Sequence, residues 1–147
     1  MYGFIRDILS DKGSHVFTVE SDASVADAVA CLNEHGVGSV LCLHRGQPVG
    51  IFTERDVLRR VLDRHMPPET TRVRDVMTTD LVTVAPGTHT DQAMEMMTRL
   101  RVRHTPVMED GQLVGMVSIG DLLRWVLLNQ EAEIGQFSDY ISGRQPA

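Results

Sequence analysis

The chain is poor in the residues that mark several protein classes. It has two cysteines, Cys31 and Cys42, and no Cys-x-x-Cys pair. A disulfide framework and a zinc knuckle are therefore not expected, and both thiols read as reduced core residues. The six histidines, His15, His35, His44, His65, His89 and His104, show no paired ligand spacing, so no metal site is assigned. No Walker loop, Gly-x-Gly-x-x-Gly turn or nucleophile elbow occurs, and no catalytic residue is assigned. Basic residues are outnumbered, 14 against 20, for a net charge of −6. That disfavours a nucleic-acid partner while leaving room for a local basic pocket. No apolar run is long enough to span a bilayer, and Met1-Tyr-Gly-Phe-Ile-Arg-Asp7 lacks the basic-then-apolar order of a secretion signal. These absences lead to the expectation of a cytoplasmic protein with no membrane partner.

What is present is enough for a packed core: 147 residues, of which 42% are apolar. A domain of this size buries roughly 70% of the surface its unfolded chain exposes. Periodicity then divides the chain. Residues 3–9 read as a helical lead-in, Lys12-Gly13-Ser14 as a turn and His15–Val19 as a strand. Ser24 is placed as N-cap of a helix whose apolar face is Val25, Ala28, Val29 and Leu32, with Gly36 as its stop. Strands over 37–43 and 49–52 flank an Arg45-Gly46 turn. A helix is expected from Thr53 to about Arg64. Met66-Pro-Pro-Glu-Thr-Thr-Arg72 reads as a linker, since its paired prolines oppose helix.

The same order then restarts. A short helix is expected over 73–77, a strand over 81–84 and a turn at Pro86-Gly87. Thr90, Ala93, Met94 and Met97 form the next helical face. Strands over 104–108 and 113–117 flank Asp110-Gly111, and Ser118 opens a helix to about Gln130. Glu131–Ile141 could add a turn or two of helix, and the chain from Gly143 is expected to fray.

Residues 18–62 align with 83–127 without a gap at an offset of 65, with thirteen identities. They include Val19/Val84, Gly46/Gly111, Gln47/Gln112, Gly50/Gly115, Asp56/Asp121, Leu58/Leu123 and Leu62/Leu127. Thr53 and Ser118 match in kind. This is internal duplication. Because a copy of about 60 residues is marginal alone, the copies are expected to pack sheet against sheet over a shared core. The partition is 1–65, a linker at 66–72, 73–130, and a tail at 131–147.

The order β-α-β-β-α, the Gly-x-Pro/Leu-Val-Gly hairpin, Arg74-Asp-Val-Met77 with its counterpart Arg6-Asp-Ile-Leu9, and the closing Thr53/Ser118-x-x-Asp56/Asp121 turn resemble a tandem cystathionine-β-synthase-type (CBS) domain pair, or Bateman module. The resemblance runs from about residue 5 to 130, and is to a stand-alone pair. It implies an α/β (more strictly α+β) fold with pseudo-two-fold symmetry between the repeats. It also implies a regulatory module without enzymatic activity or a required cofactor. Such pairs bind AMP, ADP, ATP, NAD-type dinucleotides or S-adenosylmethionine between their repeats, here with AMP or NAD foremost. They commonly form homodimers and act on a downstream protein. The alternative is an interaction protein with vestigial clefts that acts through its dimer surface.

The site residues keep two readings. Thr53-x-x-Asp56 and Ser118-x-x-Asp121 approximate capping boxes, a sufficient explanation by itself. A helix N-terminus also suits a phosphate, and a carboxylate one turn in can accept bonds from a ribose diol. With the resemblance, Asp121 and Asp56 become ribose ligands and Ser118 and Thr53 phosphate ligands. Arg101-Val-Arg-His-Thr-Pro106 is either a solvated strand lead or a phosphate contact. In the second reading Arg103 and His104 reach an anion near Ser118, while Arg55 serves the first copy. The counterparts of Arg103-His104 are Gly38-Ser39, so the two clefts are expected to be unequal, with the second copy's motifs better suited to a phosphate. A residue of one copy can serve the other's ligand. Candidates for an adenine pocket are Thr78, Leu81, Thr83, Ser14, His15, Val16 and Gly38, with Ile51, Met116 and Pro106 as walls.

Overall fold

The computed structural model describes residues 3–141, with side chains described up to residue 130. Its elements are α1 (Ile5–Lys12), β1 (Thr18–Glu20), α2 (Val25–His35), β2 (Ser39–His44), β3 (Gln47–Thr53), α3 (Glu54–Asp56), α4 (Thr90–Leu100), β4 (His104–Glu109), β5 (Gln112–Ser118) and α5 (Ile119–Ile141). Helices and two small sheets make an α+β fold. In the first sheet β1 runs parallel to β2, which pairs antiparallel with β3; in the second, β4 pairs antiparallel with β5.

The duplication is visible in backbone detail. Both hairpins turn on two residues with positive φ, Arg45 (52°) and Gly46 (77°) in one, Asp110 (51°) and Gly111 (75°) in the other. Two-residue turns of this hand match the strand twist. Each hairpin shifts register at an equivalent place, Cys42/Leu43 and Val107/Met108. Ser24 caps α2, accepting a bond from the Asp27 amide at 3.0 Å, and Gly36 ends it at φ 61°.

Three elements differ from expectation. The strand at His15–Val19 shrinks to Thr18–Glu20. The strand over 81–84 reduces to a single parallel bridge between Val84 and Val107. Leu81 and Val82 instead line a cleft. The helix from Thr53 changes pitch after Asp56 and continues as a π-helical stretch, Val57–Leu62, in which the Asp63 amide reaches back to Leu58 O. This wider pitch accompanies Arg60 Nη1 bonding Met77 O at 2.9 Å. The backbone of α5 runs unbroken through the tail region to Ile141, and the expected fraying from Gly143 lies outside the described residues.

The core also differs. One shared core was expected; there are two clusters, each completed by a lead-in segment that precedes the other copy. Val73, Val76 and Met77 pack with Val25, Leu32, Val40 and Phe52. Ile5, Ile8 and Leu9 of α1 pack with Ala93, Met97, Val107, Val117 and Leu122. Matching backbone bonds fix this exchange: Val25 N to Thr71 O and Val73 N to Ala23 O in one half, Thr90 N to Gly3 O and Ile5 N to Thr88 O in the other. The physical reason is that a β-α-β-β-α unit leaves part of its sheet uncovered, and the short apolar lead-in covers it. Between the halves Ser39 Oγ stands 3.8 Å from Met116 Sδ. Leu41 and Ile51 are buried but belong to neither cluster, as the alternation of strand side chains requires for the sheet faces opposite the helices.

Candidate functional site: two clefts between the halves

Two cavities open between the halves, about 450 and 390 Å³. The first is built on the β3–α3 turn, with Thr53, Glu54, Arg55 and Asp56, and on Ile51. Thr78, Asp80, Leu81 and Val82 form one wall, Arg101, Val102, Arg103 and His104 of the second copy another. The second is built on Ser118 and Asp121 at the β5–α5 turn, with Met116. It is closed by Lys12, Gly13, His15, Val16 and Phe17 and by Val37, Gly38 and Ser39 of the first copy. Gly38 and His104 line both.

Each turn is a reciprocal capping box. The Thr53 amide donates to Asp56 Oδ2 at 3.0 Å and the Asp56 amide to Thr53 Oγ1 at 3.2 Å. The Ser118 amide donates to Asp121 Oδ2 at 2.8 Å and the Asp121 amide to Ser118 Oγ at 3.0 Å. Beyond this the carboxylates diverge. Asp56 is 5% exposed; it accepts from Thr78 Oγ1 at 3.2 Å and faces Arg60 Nε at 3.6 Å. Asp121 is more open, and its second donor is a charge: Lys12 Nζ at 2.7 Å. Both bonds fall on Oδ2; among the described residues no donor is hydrogen-bonded to Oδ1. Burial raises the Asp121 carboxyl, but the Lys12 and Ser118 bonds together outweigh it and hold the group below its ordinary value.

His104 sits where the clefts meet. Burial lowers its pKa foremost, Asp121 opposes this, Lys12 adds to it, Glu54 opposes it, and Arg103 adds to it. Glu54 turns inward: its Oε1 stands 2.8 Å from where a side chain on Gly38 would begin, and its amide donates to Gly38 O at 3.1 Å. Phe17 in the second cleft stacks on His35 at 4.0 Å and meets the edge of His15 at 4.6 Å. The Cys42 thiol is pushed up to about 12, by burial first and by Asp56 second, so it is not a nucleophile.

Both carboxylates and both hydroxyls thus lie in inter-copy grooves, as do Arg55, His104, Thr78, Leu81, Ile51, Gly38, His15, Val16 and Met116. One pairing is corrected. Arg103 lines the cleft of Thr53, not that of Ser118, because β4 presents its N-terminal end across the interface. The first cleft holds more cations, Arg55, Arg59, Arg101 and Arg103, and also more carboxylates, Glu54, Asp56 and Asp80. Ser14, Thr83 and Pro106 line neither cleft: Ser14 and Thr83 are exposed on loops, and Pro106 is buried within β4, where its carbonyl accepts from the Val84 amide. Lys12 had no assigned role. Its signal was the three-residue insertion Lys12-Gly13-Ser14, which breaks the register between the copies. Among the described residues no cluster of His, Cys, Asp and Glu could hold a metal, and no helix is long and apolar enough to cross a membrane.

Doubled halves with exchanged lead-ins and a pair of clefts between them define a class of tandem-repeat module. The CBS domain family model matches residues 5–63 and 73–128, and the chain belongs to that family. It is 36% identical over 148 residues to the mitochondrial CBS domain-containing protein CBSX3 of Arabidopsis thaliana, covering 95% of this chain and 72% of that one. It spans 59% of a Methanocaldococcus jannaschii relative, MJ0450, that is 30% identical. The crystal structure of the CBS-domain protein ATU1752 from Agrobacterium tumefaciens superposes with TM-score 0.79 at 39% identity, over 83% of this chain and 98% of that one. The CBS pair of MJ0100, solved with 5′-methylthioadenosine and S-adenosylmethionine, shares the fold at TM-score 0.75 and 22% identity, over 86% and 97%.

Proposed function

We propose that the chain is a regulatory module that binds adenosine-containing nucleotides in its two clefts and signals by shifting the packing of its halves. One observation carries the reading: each cleft joins a carboxylate and a hydroxyl at a helix start in one copy to residues of the other copy. A ligand held by both halves stabilises one arrangement over others, which is the requirement for a population shift. In each cleft the carboxylate takes the ribose diol and the Thr53 or Ser118 turn takes phosphate. Arg55, Arg103 and His104 add charge in the first, and adenine lies against Ile51, Thr78 and Leu81 there or Met116, His15 and Val16 in the second. The adenosine ligands of MJ0100 support the ligand class, with AMP or NAD as the first candidates here. We place the protein in the cytoplasm, without catalytic activity.

The decisive experiment is a thermal scan with AMP, ADP, ATP, NAD and S-adenosylmethionine. A ligand at 100 times its Kd adds ~2.7 kcal/mol, a rise of ~5–10 °C for a chain of this size. Flat curves with all five end the proposal. They would favour the second reading, an interaction protein with closed clefts, which draws on the protein donors already engaging Asp56 and Asp121.

A second copy of the chain is the proposed structural partner. Leu58 and Leu62 are exposed by 63% and 58%, and their counterparts Leu123 and Leu127 by 51% and 60%. Matched apolar residues on matched helices suit an isologous contact.

A further inference from the structure

The two copies answer one structural need with different chemistry. In the first cleft Thr78 satisfies two acceptors: its amide donates to Ile51 O at 2.9 Å and its hydroxyl to Asp56 Oδ1 at 3.2 Å. The equivalent acceptors of the second copy are Met116 O and Asp121. Both are taken by one group, the Lys12 ammonium, at 3.0 and 2.7 Å. The side chain hydrogen-bonded to Asp56 is thus a neutral hydroxyl, with the Arg60 guanidinium farther off at 3.6 Å, whereas the one hydrogen-bonded to Asp121 inside the second cleft is a full cation.

We propose that Lys12 makes the second cleft selective for phosphorylated over unphosphorylated nucleosides by holding the Asp121 carboxylate until an incoming anion draws the ammonium away. This rests on the nucleotide reading above and specifies its ligand. A ribose diol alone must compete with Lys12 for Asp121 and leaves a cation without its partner. A phosphate at the Ser118 turn offers that cation a new anion one helical turn from the old one, and releases the carboxylate for the diol. The Lys12 side chain is 36% exposed, so it can swing on its flexible stem without disturbing the core. The first cleft has no such gate: Thr78 is fixed by backbone pairing on Ile51, and Arg60, the cation nearest Asp56, is tied to Met77 O at 2.9 Å and does not line the cleft.

The test is calorimetric titration of adenosine and of AMP into wild type, Lys12→Met and Lys12→Met/Asp121→Asn, with the second-cleft event defined as the one lost in Asp121→Asn. Lys12→Gln serves as a second neutral variant, and melting curves confirm that each folds. Adenosine should bind the second cleft at least about tenfold more tightly in Lys12→Met and Lys12→Gln than in wild type. The preference for AMP should narrow, and the gain should vanish in the double variant. An unchanged adenosine affinity with weakened AMP makes Lys12 a simple phosphate ligand and overturns the gate. Binding confined to the first cleft in every variant overturns the gate alone. No heat with either compound in any variant overturns the nucleotide reading and the gate with it.

Discussion

The Lys12 ammonium lies 2.7 Å from Asp121 Oδ2, joining residues 109 apart in the chain and tying α1 to the start of α5. Asp121 is held below its ordinary carboxylate value, so its contribution to stability is present above about pH 4 and is lost as pH falls through the lower folded value. Chemical denaturation between pH 7 and pH 2.5 should show this loss. In Lys12→Met the folded and unfolded carboxyl values approach each other, and the acid-dependent loss should shrink. An unaltered pH profile would mean that the contact contributes nothing in solution.

His104 titrates the other way with ligand. Burial foremost keeps it below its ordinary value. Its share of stability is therefore present above about pH 6.5 and declines as pH drops toward the folded value. An anion in the first cleft favours the charged ring, so binding should take up a proton as pH falls through and below the ordinary histidine range. Titration of AMP in buffers of different ionisation enthalpy reads that uptake directly. His104→Gln should abolish it.

Gly50 and Gly115 occupy equivalent hairpin positions, yet their replacement should not be equivalent. A methyl on Gly50 meets Met77 Sδ at 2.5 Å and the Thr78 carbonyl at 3.0 Å, and the carbonyl cannot move without breaking the pairing with Ile51. On Gly115 it meets the tip of Leu9 at 2.8 Å, a side chain that can rotate. Gly50→Ala should cost ~2–3 kcal/mol and Gly115→Ala nearer ~1 kcal/mol, measured by urea denaturation.

Thr105 and Thr90 are buried in the second half with hydroxyls that have no hydrogen-bond partner among the described residues. Their counterparts in the first half are Val40 and Val25. Thr105→Val keeps the shape and removes the desolvated hydroxyl. It should raise stability by ~1 kcal/mol, or ~2–4 °C in Tm. A loss of stability would show that the hydroxyl has a partner such as a buried water.

Local turn chemistry and period made the hairpins, the caps at Ser24 and Gly36, and both carboxylate turns legible. The exchange of lead-ins was not legible. Arg6-Asp-Ile-Leu9 and Arg74-Asp-Val-Met77 look like the starts of their own copies, and only tertiary packing sends each across the molecule. Leu81-Val-Thr-Val84 alternates like a strand, but the cleft claims Leu81 and Val82 and leaves pairing to Val84. Arg103 was paired with the wrong hydroxyl for the same reason: the clefts form between copies, and linear proximity to Ser118 says nothing about which groove the side chain lines. The insertion Lys12-Gly13-Ser14 marks a break between the copies but not the partners of Lys12, which lie more than a hundred residues away.

The apolar faces yield the last prediction. Leu58 and Leu62 project from the helix after Thr53, and Leu123 and Leu127 from α5, all more than half exposed in the isolated chain. Placed singly such residues need no explanation, but these four fall in two matched pairs, one on each half, and make apolar faces that water disfavours. Closing these faces against a second copy about a two-fold axis would bury them. Sedimentation equilibrium should therefore give twice the chain mass of 16.3 kDa. Leu58→Glu/Leu123→Glu sets carboxylates into the contact and should yield monomer with melting no longer dependent on concentration. These positions differ in their relation to the first cleft, since Leu58 also lines it. Leu62→Glu/Leu127→Glu, which avoids both clefts, separates the effects: if it dissociates the dimer and AMP still binds, assembly and ligand recognition are independent, whereas a monomer that cannot bind AMP would make the second copy part of the site.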